Sequence, residues 1–173
     1  KNKWKESDVW PLKNTAYTNY YLNKEFNGEI DSVHSGSLSE KMENESSQIS
    51  FTNNLKNPVP SLGGNTLSIP NGVFEHSEID KQCITFSTNT LENELEVTGP
   101  VSAEIYVNST NQNSDWVVRL CDIDESGYSR IVSDGIYRAT GTPGETQKIN
   151  VDMWATSNMF LKGHKLRVSV TSS

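Results

Sequence analysis

The 173-residue sequence predicts an all-β domain, either a sandwich or a barrel. Three observations predict it. Apolar and polar residues alternate with a period of two through most of the chain after Leu91. Turn-forming residues recur about every ten positions. No segment has the apolar spacing of a stable helix. The best short candidate is Glu40 to Gln48, which Ser39 could cap, but its apolar residues are too few.

The elements follow in chain order. Trp4, Trp10, Tyr17, Tyr20, Tyr21 and Leu22 form an aromatic-rich opening that Pro11 interrupts, and Tyr17 to Leu22 has strand composition. Asp31 to Ser47 is rich in Ser, Glu and Asn and reads as surface loop. Gln48 to Thr52 reads as a short strand. Pro58 to Gly64 is irregular, because two prolines remove donors and two glycines free the backbone. The chain thus divides near Leu91 into an irregular, loop-rich first part and a regular second part, within a single domain over 1–173. In the second part Val101, Ala103, Ile105 and Val107 alternate with Ser102, Glu104 and Tyr106. Trp116, Val118 and Leu120 share one face, and Val117, Arg119 and Cys121 the other. Ile149, Val151 and Met153 repeat the pattern, as do Leu166, Val168 and Val170 against Lys165, Arg167 and Ser169. Each strand is expected to bury one face and wet the other.

Composition excludes several function classes. A net charge of −7 argues against nucleic acid or an anionic membrane as partner, since both need a clustered basic face. No apolar run reaches the length of a membrane span. Lys1-Asn2-Lys3-Trp4 is not the start of a signal peptide, for no apolar stretch follows its charges. The chain does not open on Met, so it is expected to be a piece of a longer one. Two cysteines, Cys83 and Cys121, are too few for a disulfide scaffold and are expected as buried free thiols. The sequons at Asn44 and Asn108 are expected by chance in a chain so rich in Asn, Ser and Thr.

Tests for chemistry give little. A nucleophile elbow, Gly-x-Ser-x-Gly, is absent; the nearest approach is Gly127 to Ile131, where Ile131 replaces the second glycine and no helix follows Ser129. His34 and His76 lie in polar segments and are expected as solvated loop residues. His164 opens the last strand, where it is expected to orient a turn or meet another domain. No histidine has a paired nucleophile, and the Cys and His residues lack zinc-ligand spacing. Asp122, Asp124 and Ser126 match the first half of a calcium loop that ends at Gly127, but Ser133 stands where the bidentate Glu belongs. A hairpin turn explains these residues better, and they remain weak cation candidates. Trp116 is in phase with core residues; Trp4, Trp10 and Trp154 are candidate surface aromatics.

Several blocks, in order, resemble the C-terminal domain of the X-Pro dipeptidyl-peptidase and cocaine-esterase family of serine hydrolases. They are Trp10-Pro11 before Tyr20-Tyr21-Leu22, Pro58 to Gly64, Leu95 to Pro100, Asp115 to Asp122, Asp134 to Ala139 and Gly163 to Arg167. Gly72 to Thr88 departs from the family's Arg-rich and Asp-Val-Leu pattern. Family members continue beyond the position of Ser173, so the sandwich is expected to be truncated at that end. The resemblance implies a jelly-roll β-sandwich of the galactose-binding-like kind, with no catalytic residue and no cofactor of its own. It implies a Ser-His-Asp triad upstream, in an α/β-hydrolase domain of the same polypeptide whose cleft the sandwich helps to wall. The expected interdomain residues are Trp4, Trp10, Pro58, Pro60, Leu62, Arg119, Arg138 and His164. Arg119 and Arg138 are each expected to pair with an acid such as Asp122 or Asp134, within the domain or across the interface. The parent is expected to be a bacterial cytoplasmic enzyme. Two rival readings are a free-standing module that binds sugar or peptide, and a structural domain without a small ligand.

Overall fold

The computed structural model describes residues 3–43, 47–64 and 72–173. Within these described residues eight strands and one helical turn follow in order: β1 (Tyr21–Asn23), β2 (His34–Ser39), α1 (Ser77–Asp80), β3 (Ile84–Ser87), β4 (Leu95–Val107), β5 (Asn113–Ile123), β6 (Ser129–Thr140), β7 (Gln147–Phe160) and β8 (Lys165–Thr171). They form an all-β sandwich whose layers are open rather than closed into a barrel. One layer has six strands in the order β1-β2-β3-β8-β5-β6; the other has two, β4 and β7. All pairings are antiparallel except β2 with β3. A parallel pair needs a long crossover, and the chain between Ser39 and Ile84 supplies it. Among the described residues no helix is long and apolar enough to cross a membrane.

The core lies between the layers. Ile105, Val107, Ile149, Val151, Met153 and Phe160 from β4 and β7 meet Phe86, Val118, Leu120, Leu166 and Val170 from the larger layer. Period two dictates this: alternate residues of each strand point inward, so the apolar set gathers on one side. At the far edge β6 closes on β7. The Ser133 hydroxyl donates to the Met153 carbonyl there. A Cβ on Gly135 would stand 2.1 Å from the Asp152 carbonyl oxygen, so only glycine fits that crossing. Register slips on β7 opposite Pro100 and Ser102. In this bulge Trp154 has φ +66°, and its N–H is held by the Asp152 carboxylate at 2.8 Å. Its ring stands 65% exposed.

Four expectations need correction. Gln48 to Thr52 forms no strand; Ile49 and Phe51 instead pack as irregular chain against the core, Phe51 edge-on to Trp116 at 6.1 Å. Asp31 to Ser47 is not all loop, because it contains β2, with Ser35 and Leu38 buried. β5 and β8 do not have one wet face: Arg119, Cys121, Arg167 and Ser169 are as buried as the apolar residues opposite. Strands central in a sheet and covered on both sides lose the alternation, and here the loop before β3 and α1 lies over the outer face. Finally, one helical turn exists at α1, whereas the described residues of 40–48 are not helical. The sequon at Asn44 lies outside the described residues.

Candidate functional site

The expected interdomain residues fall into two groups. Trp4 is fully exposed, at 101%, and Trp10 is exposed at 58%. Their segment is tied to β4 by the Lys5–Glu96 ion pair at 2.6 Å, and Trp10-Pro11 is a cis peptide. Pro58, Pro60 and Leu62 are also exposed. Their loop is tied to the end of β8, where the Val59 N–H donates to Ser173 Oγ at 3.0 Å. The other three make polar contacts within the domain. Arg119 is 1% exposed and donates to Cys83 Sγ (3.7 Å) and to the carbonyls of Pro60 (3.4 Å) and Ser173 (3.5 Å). Arg138 grips Asp115 through two bonds of 2.7 and 2.8 Å, which lowers the carboxyl of Asp115 below its usual range. That partner is neither Asp122 nor Asp134; antiparallel register sets residue 138 opposite 115 and residue 119 opposite 134. Asp122 is taken by His164, whose Nδ1 lies 2.8 Å from its carboxylate.

The cation candidates are consumed by turn geometry. Asp124 Oδ1 accepts from the Ser126 and Tyr128 N–H groups and from the Ser126 hydroxyl, and its Oδ2 accepts from Arg130 at 2.8 Å. These donors, the Ser126 hydroxyl first, hold the Asp124 carboxyl far below the usual carboxylate range. Gly127, at φ +85°, completes the β5–β6 turn.

Ser129, the nearest sequence match to a nucleophile, is fully buried and donates to Asp80 Oδ2 at 2.7 Å. It belongs to a polar cluster that the sequence reading missed. Asp80 also accepts from Arg167 Nη1 at 3.1 Å and from Ser169 Oγ at 2.7 Å, and Arg167 Nε donates to Ser87 Oγ at 2.9 Å. His76 is not a solvated loop residue: it is 0% exposed, and burial pushes its pKa down. His34 is likewise no loop residue but opens β2, its ring 6.4 Å from those of Phe26 and Phe86. Both cysteines are free and buried, as expected, and burial pushes the Cys83 thiol up to about 11. The only signals for the cluster were polar residues in phase on β5 and β8, and a His and an Asp four apart before β3.

Among the described residues a cleft of about 1440 Å³ opens between the layers. Tyr20, Leu22, Ile84 and Phe86 line it from the β1–β3 side, and Ile105 and Val107 from β4. It exists because two strands face six. β4 has no strand on its second edge among the described residues, so nothing regular covers β1 to β3.

With this geometry in view, comparison with known proteins is specific. Residues 1–173 match the family described as X-Pro dipeptidyl-peptidase C-terminal non-catalytic domain. The chain is 35% identical over 188 residues to a cocaine esterase of Rhodococcus sp. (strain MB1 Bresler), covering 99% of this chain and 32% of that protein. Its fold is similar to a crystal structure of an aminopeptidase from a marine sediment Thaumarchaeota archaeon, with TM-score 0.78 at 21% identity, over 99% of this chain and 31% of that one. A CocE/NonD family hydrolase from Staphylococcus aureus gives TM-score 0.64 at 16% identity, over 99% and 31%. The chain therefore spans about a third of the length of the relatives it matches.

Proposed function

Since the chain belongs to the X-Pro dipeptidyl-peptidase C-terminal non-catalytic domain family, we propose that it serves a larger serine hydrolase as an accessory sandwich. In this reading it packs on an α/β-hydrolase domain of the same polypeptide and helps to wall the active-site cleft. The parent reaction is acyl transfer to an upstream serine and then to water, on X-Pro peptides or esters.

The cleft between the layers is the observation that carries the reading. Phe86, Ile105 and Val107 at its floor are buried, but Leu55 and Tyr106 in its lining stand 85% and 70% exposed, a rim suited to a covering neighbour. The exposed rings of Trp4 and Trp10 and the Pro58–Gly64 loop support further contact with a neighbour. A rigid sandwich suits the task, because a triad needs a fixed and partly dry cleft. The same reading puts the parent in a bacterial cytoplasm; the two free buried thiols and the bacterial relative support this. A free-standing sugar- or peptide-binding module fits less well, since the relative covers this sequence with only a third of its own length.

Esterase and X-Pro amidase assays on residues 1–173, beside a polypeptide extended upstream, test the proposal. Only the longer protein is expected to turn over substrate, and replacing its upstream nucleophilic serine by alanine should abolish the activity. Hydrolysis by residues 1–173 alone would overturn the reading.

A further inference from the structure

We propose that His76, Asp80 and Cys121 form a buried site for one zinc-class divalent cation. A ring nitrogen of His76, a carboxylate oxygen of Asp80 and Cys121 Sγ all lie within 4.8 Å of one another, and all three residues are 0% exposed. Nitrogen, sulfur and oxygen donors together suit zinc or cobalt rather than calcium or magnesium. Ligand atoms around tetrahedral zinc lie about 3.3–3.7 Å apart, so closing the site needs shifts of about 1 Å.

His76 supplies the second, independent observation. Its Nε2 lies 2.6 Å from the Leu62 carbonyl, to which it can only donate. Nδ1 then carries a lone pair, and this buried atom has no hydrogen-bond partner. An orphaned polar atom in a core calls for an explanation. An imidazole that gives its one N–H to a backbone carbonyl is held as metal-bound histidines are held. The second ligand is braced in the same way. Asp80 Oδ2 accepts two bonds, from Ser129 and Arg167, whereas Oδ1 accepts one, from Ser169, and keeps a lone pair. His76 and Asp80 sit four residues apart across the turn of α1, joined by the Asp80 N–H to His76 carbonyl bond of 2.8 Å, which sets both side chains on one face. β5 presents Cys121 to that face.

Charge narrows the choice of ion. Arg167 Nη1 already stands 3.1 Å from Asp80 Oδ2 inside the cluster. That fixed cation disfavours hard cations held by charge alone, so a metal that bonds to sulfur and imidazole is selected. On binding, the Cys121 thiol releases its proton to solvent and the thiolate donates an electron pair to the cation. The cation would staple α1 and the loop at Leu62 to the outer face of the six-stranded sheet.

The test is titration of chelator-treated protein with cobalt(II), followed by zinc competition. One equivalent is expected to bind with a thiolate-to-cobalt charge-transfer band, which zinc then displaces. Cys121→Ser should abolish the band, Cys83→Ser should keep it, and His76→Gln should weaken binding at least tenfold. A folded wild-type protein without the band overturns the proposal, as does a band that survives Cys121→Ser or follows Cys83. The wild-type titration reads the outcome even where a variant fails to fold.

Discussion

At the scale of single residues, the structure separates side chains by the company they keep. Asp124 and Asp80 have the same chemistry but opposite settings. Asp124 organises an exposed turn through four acceptor contacts; Asp80 is sealed in the core against Arg167. The sequence Asp122 to Gly127 announced the turn, because Asp, Ser and Gly are turn formers. It did not announce Asp80, because a buried acid looks like any other until its partners from β6 and β8 are known. The Asp124 turn yields a pH prediction. Its folded pKa lies below the unfolded value of about 3.9. The ionised carboxylate therefore stabilises the fold above about pH 4, and that contribution is lost as pH falls through the folded pKa. Asp124→Asn keeps an acceptor for the two N–H groups but loses the charge facing Arg130. It is expected to be less stable by about 1 kcal/mol at pH 7, with the difference shrinking as pH falls below about 4. Urea denaturation of both proteins across pH checks this. A difference that does not change with pH would assign the effect to geometry instead of charge.

At the scale of elements, legibility followed exposure. β4 and β7 lie in a two-stranded layer with one face to solvent, and their alternation was plain: Ile149, Val151 and Met153 are buried and their neighbours exposed. β5 and β8 are covered on both faces, so Arg119 and Arg167 occupy positions that pattern alone assigns to water. β2 was missed because His34 to Ser39 carries one large apolar residue, Leu38; it is a strand because β1 and β3 pair with it from both sides. Pairing supplied by neighbours outweighs weak local propensity. The β6–β7 crossing shows the converse, a single residue that an element cannot spare. Gly135→Ala places a methyl group against the Asp152 backbone at 2.1 Å, and backbone on both sides cannot yield cheaply. The variant is expected to lose about 2–3 kcal/mol in chemical denaturation, and its melting temperature should fall accordingly. Unchanged stability would mean that β6 and β7 slide apart freely, and that the crossing does not hold this edge shut.

At the scale of the whole molecule, the imbalance of the layers governs behaviour. Six strands face two, so beside the edge of β4 that has no partner strand among the described residues, the inner face is closed by irregular chain such as Ile49 and Phe51 instead of by a strand. Such an edge carries unpaired N–H and C=O groups over a long strand, a liability in an isolated domain. In its first half Lys5 pairs with Glu96 and Thr15 lies beside Gly99. In the second half, Glu104 to Val107 borders the cleft. If the rest of the polypeptide covers this face, backbone amides there should exchange hydrogen at different rates in the two settings. Residues 1–173 alone are expected to exchange rapidly at the outer-edge amides of β4 and at Ile49 to Phe51, while β5 and β8 stay protected. Under the proposed accessory role, the same β4 amides should slow by at least tenfold in the polypeptide extended upstream. Equal rates in both proteins would leave the cleft open in the longer polypeptide. The cleft would then be a ligand-sized recess in its own right, and the proposed catalytic domain would have to dock elsewhere, with the exposed Trp4, Trp10 and Trp154 as the next surfaces to map.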